Sequence, residues 1–310
     1  MPNFTGLWTP SQQLQAADNT AWPGSAGALF AFTTFTFTNA SATGKNGPSL
    51  ANCQSAYSGQ PWLTSYFTVS PNGFQQWTVP RDGNYTIEVA GAPGQGTTTG
   101  QGGRVNAGQG RRLSQTIALN RGDVLVMVVG QSGTQGTYAG GGGGGTFVIR
   151  SGSVLIAAGG GAGDGYYGND NQRGADAQDV LVGNPSTGGG PGILGGGGGG
   201  GGFGGNGVRG DATIIGGGGG SGYVSNFVGG ARYSSNEGDG GFGGGGGGGG
   251  GNGANAGGGG GGYSGGVGCN GGSPFSTATV AVGGSCYVAT GSPTYNGYNT
   301  SQGFIIITAV

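Results

Sequence analysis

The sequence contains no histidine, and charged side chains make up only 7% of its 310 residues. Histidine is the most common general base and metal ligand in proteins, so its absence removes the usual starting point for catalysis or metal binding. Glu88 and Glu237 are the only glutamates, and the sequence assembles neither a nucleophile with a base nor a carboxylate pair. We therefore expect no enzyme activity and no bound cofactor.

Charge and hydropathy argue against two further classes of partner. With 10 basic and 11 acidic residues, the net charge is −1, so the chain lacks the basic face that nucleic-acid-binding proteins present. No stretch reaches the roughly 18 consecutive apolar residues of a membrane-spanning helix, which predicts no membrane insertion. The opening residues, MPNFTGLWTP, lack the basic and apolar regions of a secretory signal, and we expect synthesis in the cytoplasm without a signal peptide.

Cysteine is also scarce. Only Cys53, Cys269 and Cys286 are present, and their spacing matches no metal site. An odd count leaves two alternatives for Cys269 and Cys286, which both lie in the C-terminal quarter of the chain. They form a disulfide, or they remain reduced, small buried side chains, as is usual in a chain made in the cytoplasm.

Glycine, by contrast, supplies 88 residues. The absence of a strict Gly-X-Y period excludes collagen, and the 13 phenylalanines, 12 tyrosines and 4 tryptophans argue against a disordered spacer. The longest glycine tracts occupy residues 140–145, 195–202, 216–220, 243–251 and 257–262.

These tracts offer no side chains to bury, so they do not predict strands of a hydrophobic sheet. Helices of the polyproline II type, here polyglycine II, suit them because they have three residues per turn and no internal hydrogen bonds. Their backbone groups must then pair with neighbouring segments. The interval of three between Phe203, Asn206 and Arg209 agrees with a bundle of such helices whose side chains point outward.

Between the tracts lie segments typical of β-strands. FAFTTFTFTN alternates phenylalanine with threonine, which is the period-2 pattern of a half-buried strand. Turn residues predict two successive strands joined by a turn at residues 80–83 and again at 120–123, and a hairpin around residues 151–152. GFIIITAV predicts a closing strand. We expect an all-β domain over residues 31–310, a β-sandwich with the bundle of glycine helices inserted between its strands.

Residues 1–30 form a separate segment in this interpretation. Thr9, followed by proline, predicts the start of a short helix. Its apolar residues Trp8, Leu14 and Trp22 belong to a segment too short to fold alone. They dock either on the protein's own domain or on a partner, and we predict that they attach the protein to a partner.

Several sequence runs recur in a fixed order along the strands: Trp77-Thr78-Val79-Pro80, Tyr85-Thr86-Ile87, Leu119 to Leu125, Val129-Gly130-Gln131, Gly141 to Val148 and Leu155 to Gly161. In these runs the chain resembles the glycine-rich extracellular domain of the anaplastic lymphoma kinase and leukocyte tyrosine kinase type. The resemblance covers most of residues 35–310 and implies a TNF-like β-sandwich with inserted polyglycine helices. Because the sequence shows no kinase and no membrane segment, we expect no cytokine-receptor role.

The N-terminal run GLWTPSQQLQA, followed by AWP, is similar to leaders of virion proteins from phages of aquatic bacteria. This resemblance implies a virion structural protein, a fibre, tip or capsid-decorating subunit that rigidly displays loops for attachment to the host surface. The implied partners are other virion proteins or copies of itself, in a homo-oligomer, and a host receptor or glycan. The alternatives are a self-assembling extracellular filament or matrix subunit, and a soluble glycan- or protein-binding module.

Two segments combine aromatic with polar residues in the manner of adaptable recognition surfaces, GDGYYGNDNQRGADAQD and SGYVSNFVGGARYSSNEGD. The candidate receptor-binding residues are Tyr166, Tyr167, Asn169, Asp170, Arg173, Tyr223, Phe227, Arg232 and Tyr233. The alternative is that these aromatic rings cover the sides of the glycine bundle.

Two other patterns carry less weight. The aspartates of residues 164–179 supply oxygen ligands of the kind that Ca²⁺ prefers, but their spacing fits no recognised loop, which favours a solvated loop. Arg121-Gly122-Asp123 and Arg209-Gly210-Asp211 spell an integrin-type tripeptide, and we attribute both to chance or turn geometry.

Overall fold

The computed structural model describes residues 34–310, apart from positions 61, 99–106, 168–169, 181–185, 194, 211–214, 252–253 and 272–279. The predicted N-terminal helix, with Trp8, Leu14 and Trp22, lies outside the described residues. So does the predicted segment boundary near residue 30.

The described residues are mostly β-sheet with a single α-helix, which confirms the all-β prediction. Strands are numbered in chain order. One sheet has five antiparallel strands, in the spatial order β1 (Thr34–Thr38), β16 (Phe304–Ala309), β4 (Gly83–Ala90), β5 (Gly110–Leu119) and β15 (Thr294–Asn299).

The second sheet has seven strands and contains one parallel pair, β11 with β14. Its spatial order is β11 (Gln178–Val180), β14 (Ser285–Val288), β8 (Ser153–Ala158), β7 (Thr146–Arg150), β6 (Val124–Val128), β3 (Gln75–Thr78) and β2 (Phe67–Val69).

Two hairpins form small sheets of their own. One pairs β9 (Gly165–Tyr167) with β10 (Asp170–Gln172), and the other pairs β12 (Gly249–Gly251) with β13 (Ala254–Ala256). In the second hairpin, the last residues of one glycine tract pair with a strand that contains alanine. The hairpin remains separate from the two large sheets, in agreement with the expectation that the tracts supply no strands to a hydrophobic sheet.

The two large sheets share one hydrophobic core. Ile87 and Leu113 come from the five-stranded sheet, and Trp77 and Met127 come from the seven-stranded sheet, and all four are fully buried. Alternation explains the arrangement in β4, where Ile87 is buried and its neighbours Thr86 and Glu88 are half-exposed.

The α-helix, α1 (Leu50–Ala56), closes one side of this core. Ser49 caps it, since the Ser49 hydroxyl accepts a hydrogen bond from the Asn52 N–H at 3.2 Å. Cys53 is buried, and the hydroxyl of Tyr57, just after the helix, donates to Gln75 Oε1 at 2.7 Å. The same hydroxyl accepts from the Thr38 N–H at 2.9 Å, so Tyr57 is bonded to β1 of the five-stranded sheet and to β3 of the seven-stranded sheet.

The predicted turn at residues 151–152 joins the paired strands β7 and β8, and the predicted turn at 120–123 joins β5 of the five-stranded sheet to β6 of the seven-stranded sheet. Gly122 has φ +87° and Gly152 has φ +78°, the left-handed region that glycine adopts without strain. Asp123 Oδ2 accepts hydrogen bonds from the Asn120 N–H at 3.0 Å and from Arg150 at 2.9 Å, which together with the turn holds its pKa below the usual value. Turn geometry thus accounts for the tripeptide Arg121-Gly122-Asp123.

A second hydrophobic cluster covers the opposite face of the seven-stranded sheet. Phe147 from β7 stacks on Phe227, with ring centroids 4.4 Å apart, and Phe242 is also fully buried there. Phe227 and Phe242 belong to the glycine-rich part of the chain. This cluster therefore joins the glycine segments to the sheet.

The glycine segments bond to one another with a period of three. Residues 196–202 run through the middle of a set of such segments, and their N–H groups point in turn to three neighbours. Gly197 and Gly200 donate to the carbonyls of Cys269 and Gly266, in the first neighbour. Gly198 and Gly201 donate to those of Gly247 and Gly244, in the second. Gly199 and Gly202 donate to those of Val208 and Gly205, in the third.

The carbonyl groups of the same tract accept from three other neighbours. Gly192 and Gly189, in the first of them, donate to the carbonyls of Gly197 and Gly200. Gly217 and Gly220, in the second, donate to those of Gly196 and Gly199. Gly259 and Gly262, in the third, donate to those of Gly198 and Gly201. Three neighbours that accept and three that donate make six around one chain segment. Residues 140–145 repeat the pattern, donating at intervals of three to residues 161–164, 131–134 and 243–246.

No side chain fits inside this set of segments, which we call the glycine array (residues 140–145, 196–202, 243–251 and 257–262 with their bonded neighbours). At each position from Gly197 to Gly202, an added Cβ would overlap a backbone carbonyl oxygen of a neighbouring segment. Glycine is therefore required here by lack of space.

Membrane-spanning helices are not found in the described ranges, where no helix has the length and hydropathy needed to cross a bilayer.

Candidate recognition cleft

One open cleft lies where several segments of the glycine array end. Tyr138 comes just before the tract at 140–145, and the next residue, Ala139, forms bridges with Gly165 and Glu237. Gly248, near the end of another tract, donates to the Gly238 carbonyl at 2.8 Å. The ends of segments that are distant in sequence are thus brought to one place.

The cleft has a volume of about 420 Å³, within the range of roughly 300–1,000 Å³ that small-molecule sites occupy. Its walls combine aromatic rings with amide, hydroxyl and carboxylate groups. The lining residues are Tyr138, Tyr166, Tyr233, Ser234, Asn236, Glu237, Gly250 and Asn255.

The three tyrosines keep their ring faces available. Tyr138 is 37% exposed, Tyr233 is 38% exposed and Tyr166 is half-buried. Many other rings of the protein stack in pairs, such as Tyr263 on Tyr287 at 3.9 Å. Within the described residues, these three tyrosines take part in no such ring pair.

Glu237 forms the fixed floor of the cleft. It is only 3% exposed, and its Oε2 accepts hydrogen bonds from the Ser234 N–H at 2.9 Å and the Ser234 hydroxyl at 2.7 Å. A Cβ on Gly250 would overlap the other oxygen, Oε1. Gly250 therefore makes room for the carboxylate, and Ser234 orients it.

The backbone of the cleft is tied together by hydrogen bonds across segments. The backbone N–H of Tyr138 donates to the Asn236 carbonyl at 3.0 Å, and the backbone N–H of Tyr233 donates to the Gly248 carbonyl at 3.1 Å. The side-chain amide of Asn255 donates to the Tyr166 carbonyl at 3.2 Å. The lining residues are thus held in place before any ligand arrives.

The structure brings together two of the candidate receptor-binding residues predicted from sequence, Tyr166 and Tyr233. Arg173 and Arg232 are exposed, but neither lines the cleft. Asn169 lies outside the described residues, as do the side chains of Tyr167 and Asp170.

Tyr223 and Phe227 lie elsewhere, in the second hydrophobic cluster. Phe227 is fully buried, so for this residue the prediction of a receptor contact is wrong, because its ring packs on Phe147. Tyr223 is half-buried and stacks on Phe203, with centroids 4.9 Å apart. Its position agrees with the alternative that aromatic rings cover the bundle.

Sequence reasoning missed most of the lining residues. Tyr138, Asn236 and Glu237 were not singled out, since none of them belongs to a recognised motif. One usable signal was present: Tyr138 and Asn255 each come two residues before a glycine tract. The ends of such tracts are where side chains can first be accommodated.

The structure settles the two alternatives for the cysteines. Cys53, Cys269 and Cys286 are all buried and reduced in the structure, so no disulfide joins Cys269 to Cys286. Cys286 lies in the main core, whereas Cys269 packs with three alanines in a small separate cluster. Burial raises the pKa of each thiol to about 12, which keeps it protonated and unreactive at neutral pH.

The aspartates of residues 164–179 have structural positions. Asp164 is fully buried, which corrects the expectation of a solvated position for this residue, whereas Asp176 and Asp179 are exposed, as expected. Asp176 Oδ1 accepts from the Gln109 N–H at 2.7 Å, and Asp179 Oδ1 lies 2.7 Å from Arg111 Nε. Among the described residues, no three cysteine, aspartate or glutamate side chains are grouped to hold a metal ion.

Comparison with known proteins gives a distant relation. No family model matches the chain. The leukocyte tyrosine kinase receptor of Mus musculus is 33% identical over 98 residues, which is 31% of this chain and 11% of the receptor. The chain therefore matches about a tenth of the length of that protein.

Proposed function

We propose that the protein is a rigid display module that presents the tyrosine-lined cleft to a cell surface. The observation that carries this proposal is the placement of the cleft at the ends of segments of the glycine array, whose backbone groups bond to several neighbouring segments. A ligand that binds a fixed site loses less free energy to ordering than one that must organise a mobile loop. Rigid attachment of the cleft therefore lowers the free-energy cost of binding a ligand.

We further propose a specific fold, a TNF-like β-sandwich with a bundle of polyglycine II helices. The shared core of the two large sheets supports the sandwich. The period of three in the hydrogen bonds supports the helices, since polyglycine II has three residues per turn and must bond to its neighbours. The distant relation to the leukocyte tyrosine kinase receptor agrees with the sequence resemblance behind this proposal.

The setting that we propose is the surface of a virus particle, outside the cell that makes the protein. Support comes from the N-terminal run GLWTPSQQLQA and its similarity to leaders of phage virion proteins. In this proposal residues 1–30 attach the module to other virion proteins, or to further copies of itself, and the cleft faces the host.

Deletion of residues 1–25 tests the attachment role. The truncated protein is expected to keep its circular dichroism spectrum and urea midpoint but to be missing from purified particles, as measured by immunoblot. Incorporation at the level of the full chain would contradict the proposal. Filaments formed by the purified full chain alone would instead favour a self-assembling filament subunit.

Binding to host cells tests the display role. Fluorescently labelled full chain is expected to bind them, and the double variant Tyr138→Ala/Tyr233→Ala is expected to lose that binding. Tyr295→Ala is a matched control, because Tyr295 is equally exposed, at 38%, but lies on the five-stranded sheet. Equal binding by all three proteins would contradict a role for the cleft.

A further inference from the structure

We propose that the ligand of the cleft is a neutral saccharide. This inference rests on the proposed display function and names the ligand class of the same site. It follows from the chemistry that the lining residues offer, from what they lack, and from the fixed position of the carboxylate.

The lining residues exclude two other ligand classes. Among the described residues, no lysine or arginine lines the cleft, so phosphate, sulfate and other anions find no cation there. The carboxylate of Glu237 repels them further. The described lining residues include no aliphatic side chain either, so a lipid or other purely apolar ligand would leave the polar walls without partners.

The aromatic and polar groups of the cleft match the faces and the edge of a sugar ring. A pyranose presents C–H groups on its faces, which pack against aromatic rings, and hydroxyl groups around its edge. Tyr138 and Tyr233 offer partly exposed ring faces. The side-chain amide of Asn236 can both donate and accept hydrogen bonds from the sugar hydroxyls, and Glu237 Oε1 can accept them.

These polar groups also have spare hydrogen-bonding capacity. Within the described residues, the hydroxyls of Tyr138 and Tyr233 and the side-chain amide of Asn236 make no hydrogen bond to the protein. Glu237 is the exception, because Ser234 holds its Oε2. A ligand with several hydroxyls can satisfy such groups, and one without them would leave them unpaired.

A quaternary ammonium ion is the main competing ligand, since three tyrosines and a carboxylate also suit a cation. The quaternary nitrogen has no hydrogen-bonding group and could not pair with the side-chain amide of Asn236. In addition, Tyr138, Tyr166 and Tyr233 form no ring pairs with one another in the described structure, so they do not close into a tight cage. The open cleft favours the saccharide.

An array of immobilised oligosaccharides, probed with labelled full chain, tests the inference. Neutral oligosaccharides are expected to bind, and their sialylated counterparts are expected to bind at least about tenfold more weakly because of the Glu237 carboxylate. Failure of every neutral oligosaccharide to bind would overturn the inference. Preferential binding of sialylated glycans would do the same.

Variants assign any binding to the cleft. Tyr138→Ala and Tyr233→Ala are each expected to weaken the best neutral oligosaccharide at least about tenfold in calorimetry, whereas Tyr295→Ala leaves it unchanged. Glu237→Gln, which keeps an oxygen for Ser234 but removes the negative charge, is expected to raise the affinity for sialylated glycans relative to that for their neutral counterparts. Binding of tetramethylammonium that competes with the sugar and is lost in Glu237→Gln would identify a cation site instead.

Periodate treatment of host cells separates this inference from the proposed display function. Oxidation of cell-surface sugars is expected to abolish binding of the full chain. If oxidised cells still bind the full chain but not Tyr138→Ala/Tyr233→Ala, the display function stands and the saccharide is wrong. If the double variant binds as well as the full chain, the cleft is not the attachment site.

Discussion

Arg111 on β5 forms an ion pair with Asp179 on β11, with 2.7 Å between Nε and Oδ1. The pair joins the edge of the seven-stranded sheet to the five-stranded sheet. The same guanidinium lies over the rings of Tyr295 and Tyr298, 4.6 and 4.5 Å from their centroids. One side chain therefore holds the edge strand β15 and the parallel strand β11 together.

We expect Arg111→Ala to lower the free energy of unfolding by roughly 1–3 kcal/mol. Each cation–π contact contributes about 0.5–1 kcal/mol at a partly exposed site, and the ion pair adds little because Asp179 is half-exposed. Urea denaturation measures the change. Arg81→Ala is the control, because Arg81 is exposed and its removal should change stability by less than about 0.5 kcal/mol. Equal effects of the two substitutions would contradict the role given to Arg111.

Two glycines allow a matched test of the glycine array. A Cβ on Gly200 would overlap the Gly260 carbonyl oxygen, whereas a Cβ on Gly190 would meet only Val267 Cγ1, at 4.0 Å. Gly200→Ala is expected to destabilise the protein by at least about 1–3 kcal/mol through overpacking. Gly190→Ala is expected to be neutral or to stabilise by up to about 1 kcal/mol, since alanine restricts the unfolded chain. Similar thermal midpoints for both variants would contradict close packing of the array.

Stability should fall in alkaline solution. Burial raises the pKa of Cys53, Cys269 and Cys286 from 9.0 to about 12, and that of Tyr57 from 10.0 to about 12. Between pH 9 and 12 the unfolded chain releases these protons while the folded chain retains them, so the free energy of unfolding decreases as pH rises. The contribution is fully present below pH 9.

Urea midpoints at pH 7, 9 and 10.5 measure this dependence. The triple variant Cys53→Ala/Cys269→Ala/Cys286→Ala should show a shallower decline, with the remainder due to Tyr57. Rapid reaction of the native thiols with a disulfide reagent at pH 8 would contradict their burial as protonated groups.

Sequence patterns predicted most strands of both large sheets, but not β2, β11 or β15. The alternation in β1 and β4 and the turns at residues 120–123 and 151–152 have direct physical causes in local sequence. Helix α1 was not predicted, although Ser49 is a good cap, because the helical segment that follows it has only seven residues. Short helices depend on the surface that receives them, here through Cys53 and Tyr57.

The cleft was predicted only in part, because glycine tracts carry no information about which tracts are neighbours. Tyr166 and Tyr233 were identified by their aromatic and polar surroundings, but their convergence with Tyr138 depends on long-range backbone hydrogen bonds. Phe227 resembles them in sequence and is nevertheless buried, because it fills a gap against β7 that only the folded sheet creates.

Amide hydrogen exchange tests the central claim, that the glycine segments are locked together by backbone hydrogen bonds. The N–H groups of Gly198, Gly199 and Gly200 point to three different neighbours, and they should exchange at least about a thousandfold more slowly than free peptide amides, as core amides do. Gly291, in an exposed turn, is the internal control and should exchange rapidly. Exchange of the three array amides as fast as that of Gly291 would contradict the rigid array and, with it, the display function.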